Sequence, residues 1–261
     1  MNDKIKVSII TPSYNQGRFI ERTILSVLGQ TYPYIEYILI DGDSTDETIQ
    51  IVEKYKDKID IVISEKDKGQ TDAINKGFKM ATGQLVGWLN SDDILYSDCV
   101  EKIVELYLER KDGAVYYSSH LDWIDEEGNF ITKRTVRIKD RNFLLNENYV
   151  LIQQGSFYPL DLVRRVGFLN ENNYYCMDLA LWLDLLNYGK IYPVETERSL
   201  AAFRIYEGTK TDTGKIDFLV NIRNVLFSNR AKWYSKNVLN RIYWYMIKSK
   251  LKEIWVTRYK K

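Results

Sequence analysis

VSIITPSYNQGRFIERTILSVLGQTYPYIEYILIDGDSTDETIQIV, residues 7–52, alternates between two hydrophobic periods. Residues 6–11 (KVSIIT) and 35–40 (IEYILI) are β-branched runs of strand length. Between them Phe19, Ile20, Thr23, Ile24, Val27 and Leu28 recur three and four apart, as on one face of a helix. The alternation continues. Residues 60–64 (DIVIS) and 84–89 (QLVGWL) read as strands, and Ile49, Val52, Tyr55 and then Ala73, Ile74, Gly77, Phe78 read as helix faces. Strands alternating with helices of 10–15 residues predict βαβ units and a mostly parallel sheet. Thr45 and Thr71 are the expected N-caps of the second and third helices, and Gly83 the stop after the third.

The pattern changes after residue 95. A helix over residues 98–110 leads to a strand at 114–118. Asp125-Glu126-Glu127-Gly128-Asn129 then reads as the turn of a hairpin between 121–124 and 130–136. A short helix at 143–146, strands at 156–158 and 199–205, and a helix over 177–188 stopped by Gly189 follow. The last 45 residues read as helical. The expectation is one α/β domain with mixed strands in its second half and a C-terminal helical appendage.

Composition excludes several classes. With 45% hydrophobic and 28% charged residues among 261, the chain is an ordinary globular protein, neither disordered nor fibrous. Its two cysteines, Cys99 and Cys176, have no metal-binding spacing and exclude a disulfide scaffold. The start of the chain has acid, amide and proline too early for a signal-peptide core, and the longest apolar run is about six residues, at 242–247. These features set the expectation of a cytoplasmic protein. A net charge of +1 hides an asymmetry: residues 230–261 carry +9 and the remainder −8. No G-x-G-x-x-G and no P-loop occurs, against a dinucleotide Rossmann enzyme or a P-loop NTPase. The single histidine, His120, makes His-based triads and zinc sites poor fits, so acid–base chemistry falls to carboxylates.

Ligands of open α/β sheets bind beyond the carboxyl ends of the parallel strands. The residues following the four strands are Thr11-Pro12-Ser13-Tyr14-Asn15; Asp41-Gly42-Asp43-Ser44-Thr45-Asp46; Glu65 with Lys66-Asp67-Lys68-Gly69-Gln70; and Asn90-Ser91-Asp92-Asp93. Three of the four ends are rich in carboxylates. Asp92 and Asp93 after an apolar strand suit Mg²⁺ or Mn²⁺, which take oxygen ligands and substrate phosphates; a solvated turn before the next helix would use the same residues. Asp41 and Asp43 are placed to accept from a nucleobase N–H or a ribose hydroxyl, or to cap the following helix. Asp178 stands at the start of a helix, where the dipole alone would favour an acid.

Taken together, residues 7–52 and 69–95 (GQTDAINKGFKMATGQLVGWLNSDDIL) resemble the family 2 glycosyltransferases, which have the GT-A nucleotide-sugar-binding fold. The resemblance continues through Gln153-Gln154-Gly155-Ser156-Phe157, Val166-Gly167-Phe168, the Cys176-Met177-Asp178 segment with its Leu-Trp-Leu helix, and residues 203–211 (FRIYEGTKT). It implies roles by position. Thr11, Pro12 and Tyr14 would line the nucleobase pocket, and Asp41, with Asp43 nearby, would accept from the base, most simply uracil N3–H. Asp72 and Lys68 would face the ribose or sugar. Asn90, Ser91 and Asp92 would occupy the Asp-x-Asp region, with Asp92 and Asp93 holding the metal. Arg204 and Lys210 would contact the diphosphate, and Asp178 would be the general base. Asn90 replaces the usual first acid, and Tyr206 stands where many relatives have histidine.

The resemblance therefore implies an inverting, metal-dependent transferase. It would move a sugar from a nucleotide donor, uridine-linked, to a saccharide or lipid-carrier-linked acceptor, in bacterial polysaccharide assembly. A sugar-1-phosphate nucleotidyltransferase is the alternative, but residues 11–17 lack its basic glycine-rich loop; a non-catalytic nucleotide-sugar-binding module is another. The expected division is a catalytic domain at 1–211, with a nucleotide-binding half (1–95) and an acceptor half (96–211), and a basic helical extension at 212–261. In that extension Tyr243, Ile247, Leu251 and Ile254 form a stripe flanked by Trp244 and Trp255. It reads either as a helix lying on the inner face of a membrane or as one packed on the domain. No motif supports nucleic-acid binding.

Overall fold

The computed structural model describes residues 4–210, 214–231, 240 and 242–248. The β-branched runs form β1 (Val7–Ser13), β2 (Ile35–Asp41), β3 (Ile61–Ser64) and β4 (Leu85–Trp88), all mutually parallel. Between them lie α1 (Ile20–Leu28), α2 (Thr48–Glu53) and α3 (Gln70–Met80). Successive side chains of a strand point to opposite faces. Ile9 and Leu39 accordingly pack on α1, while Ile10, Ile38 and Ile40 pack on α3. Both faces are covered, which is why these strands are apolar throughout rather than alternating.

A two-residue β5 (Ile94–Leu95) is followed by α4 (Cys99–Glu109), β6 (Gly113–Ser118) and the expected hairpin of β7 (His120–Ile124) and β8 (Phe130–Thr135). His120 Nδ1 lies 2.8 Å from Thr135 Oγ1 across that hairpin, a structural contact. Then come α5 (Arg141–Asn146), β9 (Ser156–Pro159), α6 (Leu160–Arg165), α7 (Met177–Leu185), β10 (Lys190–Val194), β11 (Ala201–Arg204) and α8 (Lys215–Ser228). The main sheet has seven strands in the order β10-β6-β9-β4-β1-β2-β3, and β9 is antiparallel to both its neighbours. A second sheet, β5-β11-β7-β8, stands beside it.

Helices α3, α7 and α8 share one core face with Trp88, Tyr117, Tyr158 and Trp182; α1 and α4 share the other with Tyr116 and Phe157. Ile222, Val225 and Leu226 of α8 are buried in the first of these, so the start of the C-terminal region joins the core. Both cysteines are buried and free. At the far end of the sheet, Glu36 is buried among donors. It accepts from Lys6 Nζ (2.7 Å), Ser8 Oγ (2.5 Å), and the Thr82 amide (2.8 Å) and hydroxyl (2.6 Å).

The expected caps differ in detail. Helix α2 opens at Thr48, where Asp46 rather than Thr45 accepts from the first-turn amide. Helix α3 opens after Gly69, whose φ of 114° suits only glycine, and Thr71 lies inside its first turn. Strands β5 and β10 and helix α6 are additions to the elements that the sequence pattern predicts.

Candidate active site

A cavity of about 870 Å³ opens over the sheet edge where β1, β2, β3 and β4 end and where the antiparallel β9 begins. The strand ends build one wall of it. Pro12, Ser13 and Tyr14 line it from β1, with Tyr14 60% exposed. Thr11 lies one residue deeper, fully buried, accepting from the Tyr37 hydroxyl at 3.1 Å. At the end of β2, Gly42 lines the cavity and Asp41 stands behind it. The Asp41 carboxylate accepts from the Ser44 amide (3.0 Å), Ser44 Oγ (2.5 Å) and Ser64 Oγ (2.8 Å), so it ties β2 to the end of β3. A Cβ on Gly42 would sit 2.7 Å from Asp67 Oδ2, and Asp67 Oδ1 in turn accepts from the Gly69 amide at 2.7 Å. Gly42 thus lets Asp67 close down and shape the turn into α3.

Asp43 is exposed, with φ of 67°, outside the cavity lining. Asp72 and Lys68 also lie outside it; Asp72 accepts from the Lys68 amide and faces Lys76 at 3.7 Å. Lys66, Asp67 and Gln70 from the same loop line it instead.

The structure separates the adjacent acids. Asp92 lines the cavity with Asn90 and Ser91, and its Oδ2 accepts from the Tyr206 hydroxyl at 2.9 Å. Asp93 points the other way and is fully buried. Its two oxygens accept from Gln154 Nε2 (2.8 Å), Asn90 Nδ2 (3.2 Å) and the Arg204 amide (3.1 Å). Burial pushes both carboxyls up. The Tyr206 hydrogen bond opposes this at Asp92, whereas the charge of Asp92 adds to it at Asp93.

Arg204 is buried behind this loop rather than on the cavity wall. Its Nε donates to the Asp92 carbonyl (2.9 Å) and its Nη1 to the carbonyls of Asp125 (2.9 Å) and Glu126 (2.7 Å), while the guanidinium lies over Phe19. It locks the hairpin turn onto the Asp92 loop. The diphosphate contact that the resemblance implies for Arg204 is not where this side chain points.

The opposite wall comes from α7 and the segment after β11. Helix α7 is buried nearly all round, and Trp182 Nε1 donates to Tyr158 of β9 at 2.8 Å, which fixes the helix on the sheet. That anchoring carries Asp178, in the first turn, to the cavity. Its Oδ1 accepts from the Leu179 amide at 2.7 Å. Burial pushes the Asp178 carboxyl up, and the Lys210 charge opposes the rise. Lys210 reaches over the cavity, donating to Gln70 Oε1 (3.1 Å) with its ammonium 3.8 Å from the centre of the Tyr174 ring. Burial lowers its pKa to about 8 against the pull of Asp178.

Gln153, Gln154, Trp123, Phe203, Tyr174, Tyr175 and Phe218 also line it. The aromatic members carry no signal in the sequence; no local pattern marks residues that meet only through the fold. Among the described residues no group of three or more His, Cys, Asp or Glu side chains converges as a metal cage. One cavity-facing carboxylate, Asp92, still fits a hard divalent cation whose other ligands are phosphate oxygens and water. Most of the stripe expected at 237–259 lies outside the described residues. Residues 242–248 are helical, with Ile242 buried and Tyr243, Trp244, Tyr245 and Ile247 exposed. Among the described residues no helix is long and apolar enough to cross a membrane.

A mostly parallel sheet with one reversed strand, carrying an acid at the end of β4 and a second acid facing it from a helix, has the architecture of a GT-A glycosyltransferase. Residues 8–162 match the family described as glycosyl transferase family 2, and the chain belongs to that family of transferases. It is 42% identical over 112 residues to a protein named putative teichuronic acid biosynthesis glycosyltransferase TuaG from Bacillus subtilis, covering 42% of this chain and 44% of the relative. It is 31% identical over 218 residues to an uncharacterized glycosyltransferase of Rickettsia conorii, covering 78% of this chain and 35% of the relative. The chain thus matches under half the length of these two relatives. Among solved structures, S. aureus TarS in complex with UDP-GlcNAc superposes with a TM-score of 0.69 at 18% identity, covering 95% of this chain and 73% of that one. The mannosyltransferase PcManGT from Pyrobaculum calidifontis, in complex with GDP-Man and Mn²⁺, gives 0.65 at 15% identity, covering 99% and 76%.

Proposed function

We propose that this chain is an inverting, metal-dependent glycosyltransferase that uses a uridine-linked sugar donor and a saccharide hydroxyl as acceptor. One observation carries the reading: Asp92 and Asp178, from different halves of the chain, line a single cavity at the strand ends. The nucleoside would lie over Pro12, Tyr14 and Gly42, with Asp41 holding the β2 end in place. The Tyr14 ring is open for a base to stack on. Mg²⁺ or Mn²⁺ held by Asp92 and the donor's phosphates would neutralise charge on the leaving diphosphate. Asp93, its oxygens already committed, would hold the Asp92 loop in shape rather than ligate.

Asp178 would take the proton from the acceptor hydroxyl at a carboxylate oxygen. The acceptor oxygen then bonds to the anomeric carbon as the bond from that carbon to the phosphate oxygen breaks, on the opposite face, which inverts configuration. Lys210 would place its charge near the diphosphate while holding Asp178 ionised. Catalysis would occupy residues 1–211, with 212–261 as the extension. A lipid-carrier-linked acceptor is in keeping with the relative named for teichuronic acid biosynthesis. The exposed aromatics at 243–247 and the charge of residues 230–261 would then rest on the inner membrane surface.

The test is donor hydrolysis and transfer across a panel of UDP- and GDP-sugars with Mn²⁺. Turnover of a UDP-sugar that EDTA abolishes is expected. Turnover undiminished by EDTA would remove the cation, and thermal shifts with no nucleotide would remove the donor site. Release of pyrophosphate from a nucleoside triphosphate and a sugar 1-phosphate would instead identify a nucleotidyltransferase.

A further inference from the structure

Gln153 precedes β9 in a turn closed by the Ser156 amide donating to the Gln153 carbonyl at 3.1 Å. Gly155 makes that turn possible with φ of 68°, and a Cβ there would already press on Cys99 Sγ at 3.3 Å. Gln153 is 6% exposed and lines the cavity. Its Nε2 donates to the Trp88 carbonyl at 2.8 Å, which fixes the orientation of the amide. Its Oε1 is buried and has no hydrogen-bond partner among the described residues. A buried acceptor left unpaired is costly, so a ligand that supplies a donor there is favoured. The adjacent Gln154 is committed to Asp93, so the two glutamines have separate tasks.

Sheet order says which part of a ligand meets Gln153. Across the cavity floor the strands run β2, β1, β4, β9. The nucleoside reading rests on the ends of β2 and β1, and the diphosphate reading on Asp92 after β4. Strand β9 is the next strand out, about 4.8 Å further, and because it is antiparallel its first turn rises at the same edge. Asp178 lines the same cavity. A donor laid with its nucleoside over β2 and β1 therefore brings its sugar over Gln153.

We infer that Gln153 Oε1 accepts a hydrogen bond from a hydroxyl or amide N–H of the transferred sugar, which makes Gln153 a specificity-determining residue. The inference rests on the donor reading above and adds a demand to it: the sugar must present a donor at one particular position. Sites built to bond a substrate hydroxyl reject analogues that lack it far more strongly than apolar pockets reject an extra methylene.

The test is calorimetric titration, with Mn²⁺, of wild type and Gln153→Met with UDP, UDP-glucose, UDP-galactose and UDP-N-acetylglucosamine. UDP affinity is expected to change less than about twofold, while a sugar nucleotide bound by wild type weakens about tenfold, equivalent to about 1.4 kcal/mol. Equal weakening of UDP and sugar nucleotide, or no weakening of either, overturns the role of Gln153 and leaves the donor reading standing. Absence of UDP binding to wild type overturns the donor reading itself, and this inference with it. Should the variant not fold, wild type is titrated with the four monodeoxy forms of the sugar nucleotide it binds. One position is expected to cost about tenfold or more; equal affinity for all four refutes the contact.

Discussion

Glu36→Gln tests the electrostatics that hold the far end of the sheet. The Glu36 side chain is 7% exposed and accepts four hydrogen bonds, one from the Lys6 ammonium. Burial alone would push its carboxyl up, but the bonds from Lys6, Ser8 and Thr82 outweigh burial and bring it from 4.5 down to about 2. A carboxyl lowered on folding stabilises the native state above its unfolded pKa, and that stability is lost as pH falls through the folded value. The gap corresponds to about 3 kcal/mol at pH 7, and to roughly 1–2 kcal/mol at pH 3, where the unfolded carboxyl is already protonated while the folded one is still mostly ionised. The substituted amide keeps the shape, loses the charge and turns two N–H donors toward a cluster of donors. Urea unfolding of both proteins at pH 7, 5, 4 and 3 reads the difference. It should be about 3 kcal/mol at pH 7 and shrink steadily below pH 4.5. A difference that stays constant down to pH 3 would refute the argument, because a pure packing defect does not titrate.

Asp178→Asn should leave UDP affinity unchanged and lower transfer by about 10²–10⁴-fold, read from steady-state kinetics. Because burial raises the Asp178 pKa, wild-type kcat/KM should fall on the acid side at a pH above 3.8, as the carboxyl protonates. Lys210→Met removes the charge that opposes this rise, so the acid limb should move to higher pH; an unmoved limb would separate Lys210 from Asp178. Gly77→Ala drives a Cβ to 2.5 Å from Ile10 Cγ2, where α3 packs on β1, and should destabilise the fold by about 1–3 kcal/mol in urea unfolding.

The first half, residues 1–95, was legible because each signal in it is local. Residues 6–11 and 35–40 have nowhere to go but a sheet covered on both faces, and Asp41 directly follows the second of them. Strand β10 escaped because Lys190 and Pro193 break its apolar run, and its pairing with β6 comes from distant sequence. Asp92 and Asp93 are equivalent as sequence. Only the turn decides that one faces the cavity and the other faces Gln154. Gln153, Lys66 and the aromatic wall meet through crossovers that no window of residues contains. The same holds for Arg204, whose partners Asp92 and Asp125 lie far from it in the chain but close in space.

The reversed strand β9 also sets an order of assembly. Strands β1 to β4 are complete by residue 88, yet the edge of β4 stays open until residues 156–159 arrive to cover it. A nascent chain therefore carries an unpaired apolar edge through some seventy residues of synthesis. Such edges invite pairing with other chains. Contacts this distant in sequence also form slowly, because loop closure precedes their reward. A fragment ending near residue 95 would lack its closing strand and should aggregate rather than bind nucleotide as a free-standing module. The two halves share one sheet, and neither is finished without the other.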